Sequence, residues 1–226
     1  MKQLRNVLMS DPLVSEMNIQ PFQEPFVDLV NFDPELVVDH SLSNRTPYFS
    51  YVRLSVANKL SDAKKFLPNG LRFLIKEGFR PVHLQQLAFE RSIQRVKENS
   101  ANQDMNYIIS EASKYVAPPH VAPHPTGGAI DLTLIDSDGI ELDLGTPFDA
   151  IPQDTDNATF FAATNISEQA IQNRKLLANA LQSVGFVNYF TEWWHWSYGD
   201  RYWAVMTNAE YALYESVTEE KLQTLL

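Results

Sequence analysis

Ala129-Ile130-Asp131-Leu132-Thr133-Leu134-Ile135, then Asp136-Ser137-Asp138-Gly139, then Ile140-Glu141-Leu142-Asp143-Leu144, is the stretch that decides the fold. Both outer runs alternate apolar and polar residues, and the Asp-Ser-Asp-Gly between them is turn chemistry, so the stretch predicts a β-hairpin. Ile130, Leu132 and Leu134 share one face of the first strand, which is the core face. Asp131 and Thr133 share the other face with Ala129.

Working upstream, Leu71, Phe73 and Ile75 alternate with Arg72, Leu74 and Lys76, which predicts a strand leading into Gly78-Phe79-Arg80-Pro81. Before it, Val56, Leu60, Ala63 and Leu67 recur at helical spacing until Pro68-Asn69-Gly70 ends the run. Residues 35–39 predict a short strand, and two helices fit between about 84 and 116, the second stopped by Pro118-Pro119. Downstream, Asn165-Ile166-Ser167-Glu168 resembles a capping box for a helix that ends at Gly185 and carries Leu177, Leu181 and Val184 on one face. Tyr189–Trp196 and Tyr202–Met206 predict two more strands, and Glu219–Leu226 a closing helix. Residues 150–166 form a polar loop without a pattern. Residues 1–34, with Pro12, Pro21 and Pro25, are expected to wrap the surface of one domain spanning 35–226. Helices cluster between strand pairs without regular βαβ alternation, so the expected class is α+β: a central antiparallel sheet flanked by helices.

Composition narrows the chemistry. The chain has 226 residues, 44% of them hydrophobic, enough for a substantial core. It has no cysteine, which excludes disulfides, thiolate metal sites and a cysteine nucleophile. A formal net charge of −10 repels phosphate backbones, so no nucleic-acid partner is expected. No run approaches the roughly 20 apolar residues of a membrane span, and Met1–Ser10 lacks the apolar stretch of a secretory signal. These features predict a soluble, cytoplasmic protein with no membrane partner.

Of the histidines at 40, 83, 120, 124 and 195, two have informative surroundings. His124-Pro125-Thr126-Gly127-Gly128 leads into the first hairpin strand, and the paired glycines let the chain fold back so that His124 approaches the face of Asp131. Asp131, between apolar neighbours, needs a partner or solvent. Read alone, the segment describes equally well a solvated aspartate and a turn. The other surroundings are Thr191-Glu192-Trp193-Trp194-His195-Trp196, where three tryptophans around one histidine make a stiff, dry wall suited to a metal. Glu192 and His195 would share a face of a helix but not of a regular strand, so one sits at a strand's irregular edge. Read alone, this is equally a tryptophan-rich core strand with Glu192 exposed. Together the two segments supply two histidines and one aspartate, and three protein ligands with one open position describe a catalytic zinc site. Glu192, three residues from His195, is then left as a general base.

The residues also match a known pattern, Ser-x-His-x-x-Gly-x-Ala-x-Asp followed much later by Glu-x-x-His. Here the first reads Ala122-Pro123-His124-Pro125-Thr126-Gly127-Gly128-Ala129-Ile130-Asp131 and the second Glu192-Trp193-Trp194-His195. Over roughly residues 35–210 the chain resembles the D-alanyl-D-alanine dipeptidases of the VanX type, zinc peptidases related in fold to the Hedgehog signalling domain. The resemblance implies one zinc per chain on His124, Asp131 and His195, with Glu192 as the base. It also implies that Arg80 is a catalytic arginine and that Asp149 lies near the amino end of a small dipeptide substrate. Two positions depart from the pattern: Ala122 replaces a serine, and Lys76-Glu77 replaces an aspartate-containing stretch. A peptidoglycan D,D- or L,D-carboxypeptidase of the same fold and a non-catalytic zinc-stabilised binding module are the rival readings. An intact Glu192 and Arg80 argue against the module.

Overall fold

The computed structural model describes residues 6–226. Residues 1–5 of the expected wrapping segment, with the charges of Lys2 and Arg5, lie outside the described residues. The elements in chain order are α1 (Pro12–Ser15), β1 (Phe26–Asp28), α2 (Leu29–Phe32), β2 (Val37–Val38), β3 (Tyr51–Arg53), α3 (Leu54–Ala63), β4 (Arg72–Glu77), α4 (Val82–Asn99), α5 (Met105–Ser113), β5 (Ala129–Ile135), α6 (Glu168–Gln182), β6 (Val187–Asn188), β7 (His195–Ser197), α7 (Arg201–Thr207) and α8 (Glu219–Gln223). The main sheet runs β2-β4-β5-β7-β6, and β1 pairs with β3 in a separate two-stranded sheet.

The class is α+β as expected, but the sheet is not antiparallel throughout. β2 runs parallel to β4, with Val37 opposite Leu74 and Val38 opposite Ile75. Between them the chain leaves the sheet through β3 and α3 and returns at the same end, which is the crossover that parallel pairing requires. The other pairs of the main sheet are antiparallel.

Three local expectations give way to the fold. Ile140–Leu144 forms no strand, only one bridge between Ile135 and Glu141. The turn itself is built as its sequence suggests: the Asp136 side chain accepts from the N–H groups of Asp138 and Ile140. Beyond it, α6 takes the carbonyls a strand would need, as Asn173 donates to Asp143 O and Arg174 to Leu144 O. The aromatic run 189–194 is not a strand either. Two successive turns, Glu192 N–H to Tyr189 O and His195 N–H to Glu192 O, carry the chain into β7. Tyr202–Met206 lies inside α7, where Asp200 caps the first turn by accepting from Trp203 N–H at 2.7 Å and Asn208 closes the end at φ +55. Its aromatic and β-branched residues suit a strand, yet Tyr202 and Val205, both buried, sit three apart on one helical face.

The helices upstream appear where periodicity places them. α3 ends in a 3-10 turn, Lys64–Phe66, just before Pro68. α6 starts at Ser167, whose hydroxyl accepts from Ala170 N–H, two residues beyond the expected Asn165 cap. One apolar cluster gathers Phe73, Ile75, Ile130, Leu132, Leu134, Leu177 and the three tryptophans of 193–196. A second cluster, with Met9, Val121, Ala122, Tyr189 and Tyr202, is built separately. Every residue of β5 is buried. Among the described residues no helix is long and apolar enough to cross a membrane.

Candidate active site

β5 and β7 pair so that Asp131 stands directly opposite His195. Residues opposite each other in an antiparallel pair project to the same side, and His195 Nδ1 lies 2.9 Å from Asp131 Oδ1. His124 arrives from the 3-10 turn His124–Thr126, which Gly127 closes at φ +74. A Cβ there would also stand 2.2 Å from the Phe26 ring, so both the conformation and the space call for glycine. His124 Nε2 ends 3.3 Å from Asp131 Oδ1 and 3.2 Å from His195 Nδ1.

These three atoms make a triangle with edges of 2.9–3.3 Å. A tetrahedral zinc with bonds of about 2.0–2.1 Å has ligand–ligand edges of about 3.3 Å, so the donor set fits that ion in chemistry and in scale. The tautomer of His124 agrees. Its Nδ1 lies 2.6 Å from Gly78 O, and a carbonyl only accepts, so Nδ1 carries the proton and the Nε2 lone pair faces the triangle. All three residues are buried.

The electrostatics follow from this crowding. Burial would raise Asp131, but the two imidazoles override it and hold the carboxylate well below its usual range. Burial would lower His124, yet Asp131 raises it above the usual imidazole value. In His195 burial dominates and the pKa falls. Glu192 is buried, with Oε2 4.0 Å from His195 Nδ1. Burial, helped by the charges of Asp131 and Asp149, pushes it well above the ordinary carboxylate value against the pull of Arg80.

Arg80 reaches the same space from the loop after β4. Its guanidinium donates to both oxygens of Glu77, through Nε at 2.9 Å and Nη2 at 2.5 Å, and through Nη1 to Gln85 Oε1 at 2.9 Å. An irregularity between Ile75 and Glu77 brings Glu77 opposite Asp131. Asp149 sits in the left-handed region at φ +61 and accepts from the Tyr115 hydroxyl at 3.1 Å. Burial raises its pKa, with Arg80 and Tyr115 opposing.

The six residues singled out from sequence, Arg80, His124, Asp131, Asp149, Glu192 and His195, all line one cavity of about 460 Å³. That lies in the roughly 300–1,000 Å³ range of small-molecule sites. Glu77, Gln85 and Tyr115 line it too and were not found from sequence. Glu77 had a signal, its spacing of three from Arg80. Tyr115 had none. Ala122 does not line the cavity; it is fully buried in the second apolar cluster.

The sequence model of one peptidase family matches residues 51–217, a span that holds all six residues, and the chain is a zinc metallopeptidase. That model is described as D-ala-D-ala dipeptidase, and the chain belongs to this family. A D-alanyl-D-alanine dipeptidase of Synechocystis sp. is 26% identical over 209 residues, covering 81% of this chain and 83% of the relative. Another, of Enterococcus faecium, is 31% identical over 146 residues, covering 62% and 69%. A solved structure of the D,D-pentapeptidase VanY in complex with Zn(II) is 16% identical and covers 93% of this chain and 99% of that one at a TM-score of 0.42.

Proposed function

We propose that the chain hydrolyses small dipeptides with free ends, D-alanyl-D-alanine first among them, using one zinc held by His124 Nε2, Asp131 Oδ1 and His195 Nδ1. The observation that carries this is the 2.9–3.3 Å donor triangle with the Glu192 carboxylate 4.0 Å from one of its corners. Zinc, when bound, supplies a lowered pKa for water and polarises a carbonyl. Glu192 takes the proton of the attacking water and hands it to the leaving amine. Burial raises its pKa, which favours holding a proton between the two transfers. The Arg80 guanidinium, fixed by Glu77 and Gln85, faces the negative charge that develops on the scissile carbonyl oxygen. Asp149, held by Tyr115, receives the substrate's ammonium group.

The test is a panel of D-, L- and mixed dipeptides, with longer peptides ending in the same residues, offered to the zinc-loaded and the chelated protein. Zinc-dependent cleavage of D-alanyl-D-alanine, with longer peptides poor substrates, is the expected result. Efficient removal of the last residue from long peptides with dipeptides left intact would replace this reading with a carboxypeptidase. No cleavage at all by the zinc-loaded protein would leave a binding module.

A further inference from the structure

Next along the chain from His195 stands a group of buried polar side chains that the proposed reaction does not use. Six buried side-chain atoms among the described residues lack a hydrogen-bond partner, and four belong to one eight-residue stretch: His195 Nε2, Ser197 Oγ, Asp200 Oδ2 and Tyr202 Oη. Buried polar atoms are paired in the great majority of cases, so a local concentration of orphans calls for a missing partner. His195 and Ser197 alternate with Trp196 along β7 and therefore share a face of the strand. Asp200 follows one turn later, wholly buried, with Oδ1 spent on capping α7 and Oδ2 free. The carboxylate lies close enough to feel both neighbours: burial raises its pKa, while the Ser197 hydroxyl and the His195 ring pull it down. The Tyr189 ring packs edge-on against both His195, at 6.2 Å, and Tyr202, at 5.2 Å.

We infer that one internal water occupies this space, accepting from His195 Nε2–H and donating to Asp200 Oδ2, with Ser197 Oγ as its third partner. Asp200 is then a positioning residue. Its charge, relayed through the water, keeps the proton of His195 on Nε2 and leaves Nδ1 free to face the metal. A buried water characteristically makes about three such bonds, and ligand histidines characteristically donate their second N–H to a carboxylate or water. The inference rests on His195 being a metal ligand.

Asp200→Asn tests it, because asparagine caps a helix as well as aspartate does and only the charge is lost. Zinc affinity, measured by chelator competition, should fall about 10- to 100-fold, while the metal-free protein melts near the wild-type temperature. Ser197→Ala, which leaves the cap intact, should weaken zinc in the same direction, and decides the matter if Asp200→Asn folds poorly. A high-resolution structure of the zinc-loaded protein should show a water within about 2.7–3.2 Å of the three atoms. Unchanged zinc affinity in both variants, or no water between His195 and Asp200, would overturn the inference. The two readings fail separately: zinc retained by His195→Ala removes the ligand assignment, whereas zinc lost by His195→Ala but kept by Asp200→Asn and Ser197→Ala removes only the role of Asp200.

Discussion

The two walls of the cavity are built by different means. The wall proposed to hold the metal is sheet: Asp131 and His195 are opposite residues of β5 and β7, and the ladder between Ala129–Asp131 and His195–Ser197 sets their separation. The wall proposed to hold the substrate is loop: Arg80 follows β4, Tyr115 follows α5, and Asp149 sits at a left-handed backbone angle in the segment between β5 and α6. A metal tolerates little error in ligand distance, and strand pairing delivers that. A substrate's ends need adaptable contacts, and loops held by side-chain hydrogen bonds provide those. The contrast teaches that damage on the metal wall should be all-or-none, whereas damage on the substrate wall should be graded.

The largest expected effect is on the metal wall. His195→Ala should lose zinc and activity together, as elemental analysis and a dipeptide assay would show; an active, zinc-replete variant would break the contrast at once. Glu192→Gln stands between the walls. It keeps size and fold, so zinc should stay while kcat falls by about 10²–10⁴-fold and KM changes less. A near wild-type kcat would remove Glu192 as the base.

Glu77→Ala probes the substrate wall at its one buried ion pair, with side-chain exposures of 3% for Glu77 and 18% for Arg80. Leaving Arg80 without its partner should cost about 3–5 kcal/mol in chemical denaturation. It should also lower kcat with zinc retained, and zinc loss here would mean that the two walls are not independent.

The metal wall should also announce itself in pH. The pKa of His124 is raised above the usual imidazole value, so a proton competes with zinc beginning above pH ~6.5. Apparent affinity should drop by about tenfold per pH unit once His124 is protonated. The lowered pKa of His195 adds its proton only further into acid. Affinity that is flat from neutral to mildly acid pH would contradict His124 as a ligand. The smallest effect is expected from Tyr115→Phe, which removes one hydrogen bond to Asp149. KM should rise roughly 2- to 12-fold for a free dipeptide and hardly at all for one with a blocked amino end. Equal changes for both would detach Asp149 from the ammonium.

Ala122 bears on the same contrast. The family pattern places a serine there, yet the side chain is buried in the second apolar cluster, which also holds Val121 and Tyr189.

The linear chain singled out the candidate ligands and the chemistry they could support. Without cysteine only His, Asp and Glu remain as ligands, the glycine pair before β5 prescribes a fold-back, and the alternation of β5 puts Asp131 on the face away from the core. These are properties of neighbouring residues, and short-range sterics fix them. Tertiary structure alone decided what depends on distant partners. Ile140–Leu144 has strand periodicity, but Asn173 and Arg174 take the carbonyls of Asp143 and Leu144, so the pairing stops at one bridge. Tyr202–Met206 is an apolar, aromatic-rich run that reads as a strand, but it follows the Asp200 cap and is helix. β2 is parallel because of where α3 returns the chain. Tyr115 follows α5, which packs on α4, and its hydroxyl meets Asp149, 34 residues away, only in the folded chain. Local patterning sets which conformations are cheap, and the competition for hydrogen-bond partners across the folded chain sets which of them survive.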